Sequence, residues 1–582
     1  MLRVVKDIED ALELRTWFAN QKHIALDTET SGFDPFDPAF AVRTIQFGNT
    51  QEAWVVPFDR WVGFIAELIE RFDGTFLIHN SSYDIKALAR HDVTVPWYKV
   101  DDTFIAMRLA EPHRQAGLKE SATRLISRSA SDSQKDLHTA MRRNGWTWAD
   151  IPLDFPPYIF YAAMDVILTA RLYETSVCQR GLRAPLYSLE MDVRKLCSSM
   201  EHNGMRVDLG HCKETLGILR DEAAFLKQEV EDDYGISMTS NTQLAKWLMG
   251  EGAPLTMLTE GGAPSVSREA LEVTRPLVDG RVAAVIDSVL RVRKIEKLSS
   301  SYYENFLNSS VDGLLHPNID TIAAKTGRMS IRNPALQTLP RGDDPDAKLV
   351  RQAIIPRSDN EVLISCDYSQ IELRCIATYS GDRALQAAFL DSDATGGDFF
   401  TEATRVVYND GTIGKGDRRR TGVKTLFYAS SYGAGIAKMA ATAGMPVEEM
   451  RSISDAVFSK YPGVKALMKT LERKCLENDS WIVTPAGRQI WVDPEFPYKA
   501  LNAFIQGHAC DVFKQALVDM GNAGLEDALI VPVHDEALLS VEKDDVPEVQ
   551  NILKACMTDM TPAVPLLADP SEGALTWGAI EK

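Results

Sequence analysis

Two short stretches, CDYSQIELR at Cys366–Arg374 and VHDE at Val533–Glu536, each place an acidic residue at the end of an apolar, strand-like run. VLIS leads to Asp367 and ALIVPV leads to Asp535, so rigid backbone on both sides can aim the two carboxylates. A two-metal site needs acidic side chains from separate segments, with the ions about 4 Å apart: one activates an attacking oxygen and the other neutralises a leaving group. The pair points to nucleotidyl transfer.

The chain has 582 residues, more than one hydrophobic core supports, so about three or four folding units are expected. Its 45% hydrophobic and 25% charged composition is that of ordinary globular domains, without low-complexity tracts or repeats. MLRVVKDIED carries acids where a signal peptide needs an apolar stretch, and no segment offers about 18 uncharged apolar residues in a row. A soluble, unexported, cytoplasmic protein is expected, with no membrane contact. Cysteines occur singly from Cys178 to Cys556 with no Cys-x-x-Cys pair, which disfavours a zinc site and disulfides. The net charge of −19 excludes a protein that coats nucleic acid indiscriminately, but not one with a local basic groove. Two basic clusters are candidates: Lys415, Arg418, Arg419, Arg420 and Lys424, and Arg291, Arg293, Lys294 and Lys297.

In the first third, HIALDTET reads as a strand on which Asp27 and Glu29, two residues apart, share a face. TFLIHN leads into SSYDIKALAR, where Ser81 or Ser82 is expected to cap a helix with Asp84 in its first turn. PPYIFYAAMDVILTARLYE starts with prolines suited to a helix N-terminus and places Tyr161 and Asp165 four apart on one face. Four carboxylates and a phenol suit phosphodiester hydrolysis: the acids hold ions while the tyrosine hydroxyl orients a water in line with the leaving oxygen.

Further along, RTGVKTLFYASSYG spaces Arg420, Lys424, Tyr428 and Tyr432 four apart along a helix. Its cations can meet a triphosphate, and its tyrosines can present flat faces to a sugar and base.

DTE at Asp27–Glu29, NSSYD at Asn80–Asp84, YAAMD at Tyr161–Asp165 and GLKESATRLI from Gly117 resemble the proofreading 3′→5′ exonuclease domain of the DNA polymerase I family, an RNase H-like fold. CDYSQIELR, RTGVKTLFYASSYG and PVHDEA, with TGRMSIRNPALQTLPR from Thr326, TPAGRQIWV from Thr484 and KALNAFIQGHACDVFKQAL from Lys499, resemble the family A polymerase domain in the expected order. The resemblance implies an α/β multidomain chain. An exonuclease domain at 1–185 would precede a right-hand polymerase domain at 186–582, with the thumb at about 210–315, the palm at about 316–390 and 490–582, and the fingers at about 391–489. It implies catalysis by Asp367, Asp535 and Glu536, and metal ligation by Asp367, Tyr368 and Asp535 with Glu536 nearby, and by Asp27, Glu29, Asp84 and Asp165, two Mg2+ at each site with Mn2+ as an alternative. Tyr161 would orient water, Gln370, Glu372, Arg420, Lys424, Tyr428 and Tyr432 would face the nucleotide, and Arg328, Asn502, Gln506 and His534 would contact primer or template. A DNA primer-template, deoxynucleoside triphosphates and other replication proteins are the implied partners. In the family the glutamate at Glu372 blocks the ribose 2′ position, implying deoxynucleotide selectivity.

Three positions depart from the bacterial pattern: Phe400 replaces a histidine that touches the triphosphate, Tyr498 an arginine, and Pro532 a glutamine. No 5′ nuclease segment precedes Asp27, and the thumb is too short for a large processivity-factor insertion, so a bacteriophage-type enzyme is expected, working in the host cytoplasm. SNTQLAKWLMGE in the thumb should form a helix after Ser240 or Asn241 with Leu244, Trp247 and Leu248 on one face, and Arg291–Lys297 could lean on the duplex backbone or simply pack. Tyr428 stands where many bacterial relatives carry phenylalanine, and its hydroxyl can replace the hydrogen bond of a missing sugar 3′-OH. Single-nucleotide incorporation assays should find dideoxy terminators accepted readily, and Tyr428→Phe should lower their use relative to deoxynucleotides at least about fivefold, the worth of one hydrogen bond. Equal terminator use by both forms would remove that role.

Overall fold

The computed structural model describes residues 1–339, 344–431 and 433–580, the side chains of 430 and 431 excepted. In the first third, β1 (Leu2–Val4), β2 (His23–Thr30), β3 (Val42–Gly48), β4 (Ala53–Pro57), β5 (Thr75–Ile78) and β6 (Val100–Asp102) form one mixed sheet in the order β1-β4-β3-β2-β5-β6. β2 lies inside it, antiparallel to β3 and parallel to β5. A strand covered on both faces needs a nearly continuous apolar run, which Ile24, Ala25 and Leu26 supply before the acids begin.

Helix Pro156–Tyr173 crosses β2, β3 and β4. Ala162, Ala163 and Ala170 face Ala25, Ala53 and Val55, and small side chains on both surfaces allow a close approach. Gly48 is part of that fit: a β-carbon there would stand 2.6 Å from Val166 Cγ2. Helix Ser81–Ala89 differs from expectation at its start. Its N-cap is Asn80 in a left-handed conformation, and neither Ser81 nor Ser82 caps it. The Asp102 carboxylate, at the end of β6, accepts from Asn80 N, Ser81 N and Ser81 Oγ, so a neighbouring strand satisfies the exposed amides.

Beyond this unit, the long helices Leu209–Tyr234 and Gly280–Leu298 pack together. Helix Asn241–Gly250 begins at Ser240, whose side chain accepts from Gln243 N; Leu244 and Leu248 are buried, and half-buried Trp247 meets Tyr234 at 5.2 Å. The basic stretch here is built into the fold. Arg291 forks onto Glu222 at 2.6 and 2.8 Å and onto Asp346 at 2.7 Å, Lys294 pairs with Asp344 and Asp346, and Arg293 donates to Val266 O and Asn241. Arg291, Arg293 and Lys294 thus have partners within the fold, while Lys297 is exposed.

Strands Leu529–Val533, Glu536–Glu542, Glu361–Tyr368 and Ala568–Pro570 form an antiparallel sheet in that spatial order. Pro532 lies on its outer strand, where a missing N–H is tolerated. Helix Val546–Met557 covers the sheet, and helix Ala500–Met520 packs beside it. Helices Phe399–Tyr408, Arg418–Ser431, Ile436–Ala443 and Val447–Lys460 stack on one another, and their buried residues join the same core as the sheet. Among the described residues, no helix is long and apolar enough to cross a membrane.

Helix Tyr187–Asn203 touches both halves, packing on Ser81–Ala89 and Thr103–Ala110 on one side and on Ala500–Met520 on the other. It carries Glu190, fully buried, to Arg488 at 2.5 Å and Lys514 at 2.7 Å; Arg488 also reaches Asp511 at 2.7 Å. Burial pushes the Glu190 carboxyl up, but Lys514 and Arg488 more than reverse that and hold it below the usual range. Removing one member leaves buried charge without compensation. Glu190→Ala should therefore destabilise the chain by about 3–5 kcal/mol in denaturant unfolding; a loss below about 1 kcal/mol, the scale of an exposed pair, would show that the cluster is solvated.

Candidate active sites

In the first unit, Asp27 and Glu29 point from β2 toward Asp165 on helix Pro156–Tyr173, and one carboxylate oxygen from each lies within 4.8 Å of the others. Asp84, buried on helix Ser81–Ala89, accepts from Thr28 N at 2.9 Å and Thr28 Oγ1 at 2.7 Å, which ties that helix to β2 beside the cluster. Burial pushes Asp27 up to about 7, with Lys119 pulling it back. It also lifts Glu29 and Asp84 well above the usual carboxylate range, and the charge of Asp27 adds to both. Crowded oxygens that resist ionising together fit divalent cations, which take oxygen donors and supply the missing positive charge.

Tyr161 stands beside this cluster, one helical turn before Asp165. Burial, followed by Glu29 and Asp27, raises its phenol well above the ordinary value, so the hydroxyl keeps its proton and can donate. Tyr83 fixes the loop after β2, donating to Gly32 O at 2.9 Å and lying 2.6 Å from Thr30 Oγ1. Lys119 was not singled out by the sequence. Its ammonium pairs with Asp165 and stands 4.7 Å from the Tyr161 ring centre. Burial draws it down to about 8, against the pull of Asp27 and Glu29.

The second acidic site forms at one end of the antiparallel sheet. Asp367 sits opposite Glu536 on one neighbouring strand and Asp569 on the other. Between Val533 and Glu536 the chain turns through His534, in the left-handed region at φ 61°, and Asp535, whose carbonyl accepts from Tyr368 N at 3.4 Å. Asp367, Tyr368, Gln370, Glu372, Arg328, His534, Asp535 and Tyr428 all line one cleft of about 620 Å³. This shared lining places both acids on one opening, as two-metal chemistry requires. Glu536 is not among the lining residues: it is buried, and its Oε1 accepts from Trp577 Nε1 at 3.3 Å.

Within the cleft, Glu372 is paired with Arg328, and Gln370 holds a left-handed N-cap with φ 53° at the start of helix Ile371–Ser380. The Arg488 guanidinium packs on Gly327, next to Arg328, so closely that a β-carbon at Gly327 would stand 2.4 Å from Arg488 Cζ. Ala509, Cys510 and Phe513 of helix Ala500–Met520 line the same opening; Asn502 and Gln506 lie one to two turns earlier on that helix and outside the lining set.

On helix Arg418–Ser431, Tyr428 reaches the cleft. Lys424 and Arg420 lie about 6 and 12 Å farther along the helix axis and do not line it. Arg420 is forked onto Asp398 at 2.7 and 2.9 Å; burial opposes ionisation there, yet Arg420 and Thr401 hold the Asp398 carboxyl down at about 2. Phe400 is buried beneath the stripe, 5.9 Å from Arg420 Cζ, 5.7 Å from Lys424 Nζ and 5.6 Å from the Tyr428 ring. Tyr432 lies outside the described residues. Tyr498, half exposed, rests its ring on Gly433, where a β-carbon would come within 2.6 Å of it.

Two known families match the chain, one over its first third and one over most of the rest. The profile of DNA polymerase family A matches residues 211–579, and that of a 3′-5′ exonuclease matches residues 2–175. The chain belongs to DNA polymerase family A. It is a DNA-directed DNA polymerase with 3′→5′ exonuclease activity. The DNA polymerases of Mycobacterium phage D29 and Mycobacterium phage L5 are each 28% identical to it, over 100% of this chain and 97% of theirs. DNA polymerase I of Chloroflexus aurantiacus is 26% identical over 96% of this chain and 61% of its own length. The fold is shared with the POL domain of Pol1 from M. smegmatis, solved with DNA primer-template and dNTP: the TM-score is 0.80 at 22% identity, covering 99% of this polymerase and 100% of that chain.

Glu372 lines the cleft of this polymerase at the start of a rigid helix, held by Arg328. Glu372→Ala should raise ribonucleotide incorporation relative to deoxynucleotides on the order of 10- to 100-fold, the scale of one lost steric element in a pocket. Competition between the two sugars on one primer-template measures this, and an unchanged ratio would assign sugar choice elsewhere.

Proposed function

We propose that the polymerase extends a DNA primer on a DNA template with deoxynucleoside triphosphates, removes mispaired 3′ ends in the separate carboxylate cluster, and serves DNA replication in the cytoplasm, that of a bacterial host if it is phage-encoded. The observation that carries this reading is the convergence of Asp367 and Asp535 on one cleft with Arg328, Glu372 and Tyr428. The two family matches leave helix Tyr187–Asn203 between them, which supports an exonuclease domain at 1–185 and a polymerase domain at 186–582, with thumb, palm and fingers divided as the sequence suggests.

Asp367, Asp535 and the Tyr368 backbone carbonyl would hold two Mg2+ in the cleft, and Asp27, Glu29, Asp84 and Asp165 would hold two in the other domain, with Mn2+ as an alternative. These ions supply charge neutralisation and activation of the attacking oxygen. In extension, the primer 3′-oxygen bonds to the α-phosphorus as the bond to the bridging oxygen breaks; pyrophosphate leaves and the hydroxyl proton passes to solvent. Glu372 excludes a 2′-hydroxyl, Tyr428 faces the sugar and base, and Gln370 borders the nucleotide. Arg420 and Lys424 receive the outer phosphates, Arg420 exchanging part of its contact with Asp398 for them. Arg328, Asn502, Gln506 and His534 hold the primer and template strands. Glu536, bonded to Trp577, serves best as a support for Asp535. In trimming, Tyr161 donates a hydrogen bond that orients the attacking water; its oxygen bonds to the terminal phosphorus as the P–O3′ bond breaks, a 5′-mononucleotide leaves, and the water's protons pass to the departing 3′-oxygen and to solvent.

On a labelled primer-template with Mg2+, deoxynucleotides should give extension and their absence 3′ shortening. Asp27→Ala should remove shortening by a factor of 10² or more, on the order expected for a catalytic metal ligand, and leave extension intact; Asp367→Ala should do the reverse. Loss of both activities in either variant would contradict two independent sites.

A further inference from the structure

Lys119 is the second residue of helix Leu118–Leu125, and its side chain is 10% exposed, about as buried as the Asp165 carboxylate it pairs with. A buried ammonium is costly unless opposite charge surrounds it. Here Asp27, Glu29 and Asp165 crowd within ion-binding distance of one another, and the charge of Lys119 reaches all three. The same ammonium stands over the Tyr161 ring, so one side chain touches both residues that helix Pro156–Tyr173 contributes to the site. Lys119 therefore holds one of the three clustered carboxylates directly and lowers the net charge that a bound cation would meet at the other two.

We propose that Lys119 is a positioning residue and an internal competitor for metal in the exonuclease site: its ammonium balances the carboxylates, seats Asp165 and Tyr161, and must withdraw before the cluster closes on divalent ions. An attached cation repels an incoming divalent one at short range in a poorly screened site. The metal concentration at which trimming starts is then set above the level that the carboxylates alone would give, independently of the polymerase cleft. This inference rests on the reading of the four acids as metal ligands.

Mn2+ binding to the full-length chain, titrated by calorimetry with Asp367→Ala in place to weaken the polymerase site, separates the two ideas. Lys119→Met and Lys119→Gln should bind Mn2+ about tenfold more tightly, and Lys119→Arg, which keeps the charge, should stay within about twofold of its parent, in line with relief of one like-charge contact. A lysine that only supported the fold would give the opposite sign, because its loss would loosen the cluster and weaken binding. Primer extension by the same Lys119 variants with Asp367 intact reports that they fold. If Asp27→Ala abolishes this binding while Lys119→Met and Lys119→Gln bind no more tightly than the parent, the metal site stands and the proposal for Lys119 falls. If Asp27→Ala binds Mn2+ as its parent does, the reading of the acids fails first.

Discussion

Mutual repulsion among carboxylates held close together governs this molecule. Acids such as Asp27, Glu29 and Asp165 spread apart in a flexible chain, so each is fixed to an element that cannot yield: a strand inside a sheet, or a helix pressed onto that sheet through alanines. Asp367 and Asp535 follow the same logic, one at the end of a paired strand and the other in the tight turn leading into its partner. Cations from the protein offset part of the repulsion, Lys119 in the first site and Arg328 beside Glu372 in the second. The remaining charge is what divalent ions are suited to meet.

The two sites are joined by a helix that belongs to neither. Glu190 on Tyr187–Asn203 reaches Arg488 and Lys514, which are far from it in sequence, and Arg488 in turn supports Gly327 and hence the position of Arg328. Stability of the junction and geometry of the cleft that Asp367 and Asp535 line thus share a buried ionic cluster. Arg420 shows a related economy: it waits on Asp398 above Phe400, an aromatic floor where the bacterial pattern has histidine.

Much of this was legible in the sequence where the signal is local. Asp27 and Glu29 share a strand face because of a period of two, Tyr161 and Asp165 share a helix face because of a spacing of four, and Asp367 and Asp535 close apolar runs. The features that escaped are those made by residues far apart in the chain. Lys119 meets Asp165 across 46 positions, Asp102 caps a helix that begins at Ser81, and Arg291 and Lys294 find their carboxylates in Glu222, Asp344 and Asp346. No window of sequence contains both members of such pairs. Glu536 illustrates the complementary limit: it is adjacent to Asp535 in the chain, yet its carboxylate bonds Trp577 and it does not line the cleft.

Anomalous scattering from Mn2+ in crystals of the polymerase with a primer-template would locate the ions. Density bridging Asp367 and Asp535, together with separate density among Asp27, Glu29 and Asp165, is the expected result. Strong Mn2+ peaks at other positions, with none between Asp367 and Asp535, would contradict the assignment of the synthetic site.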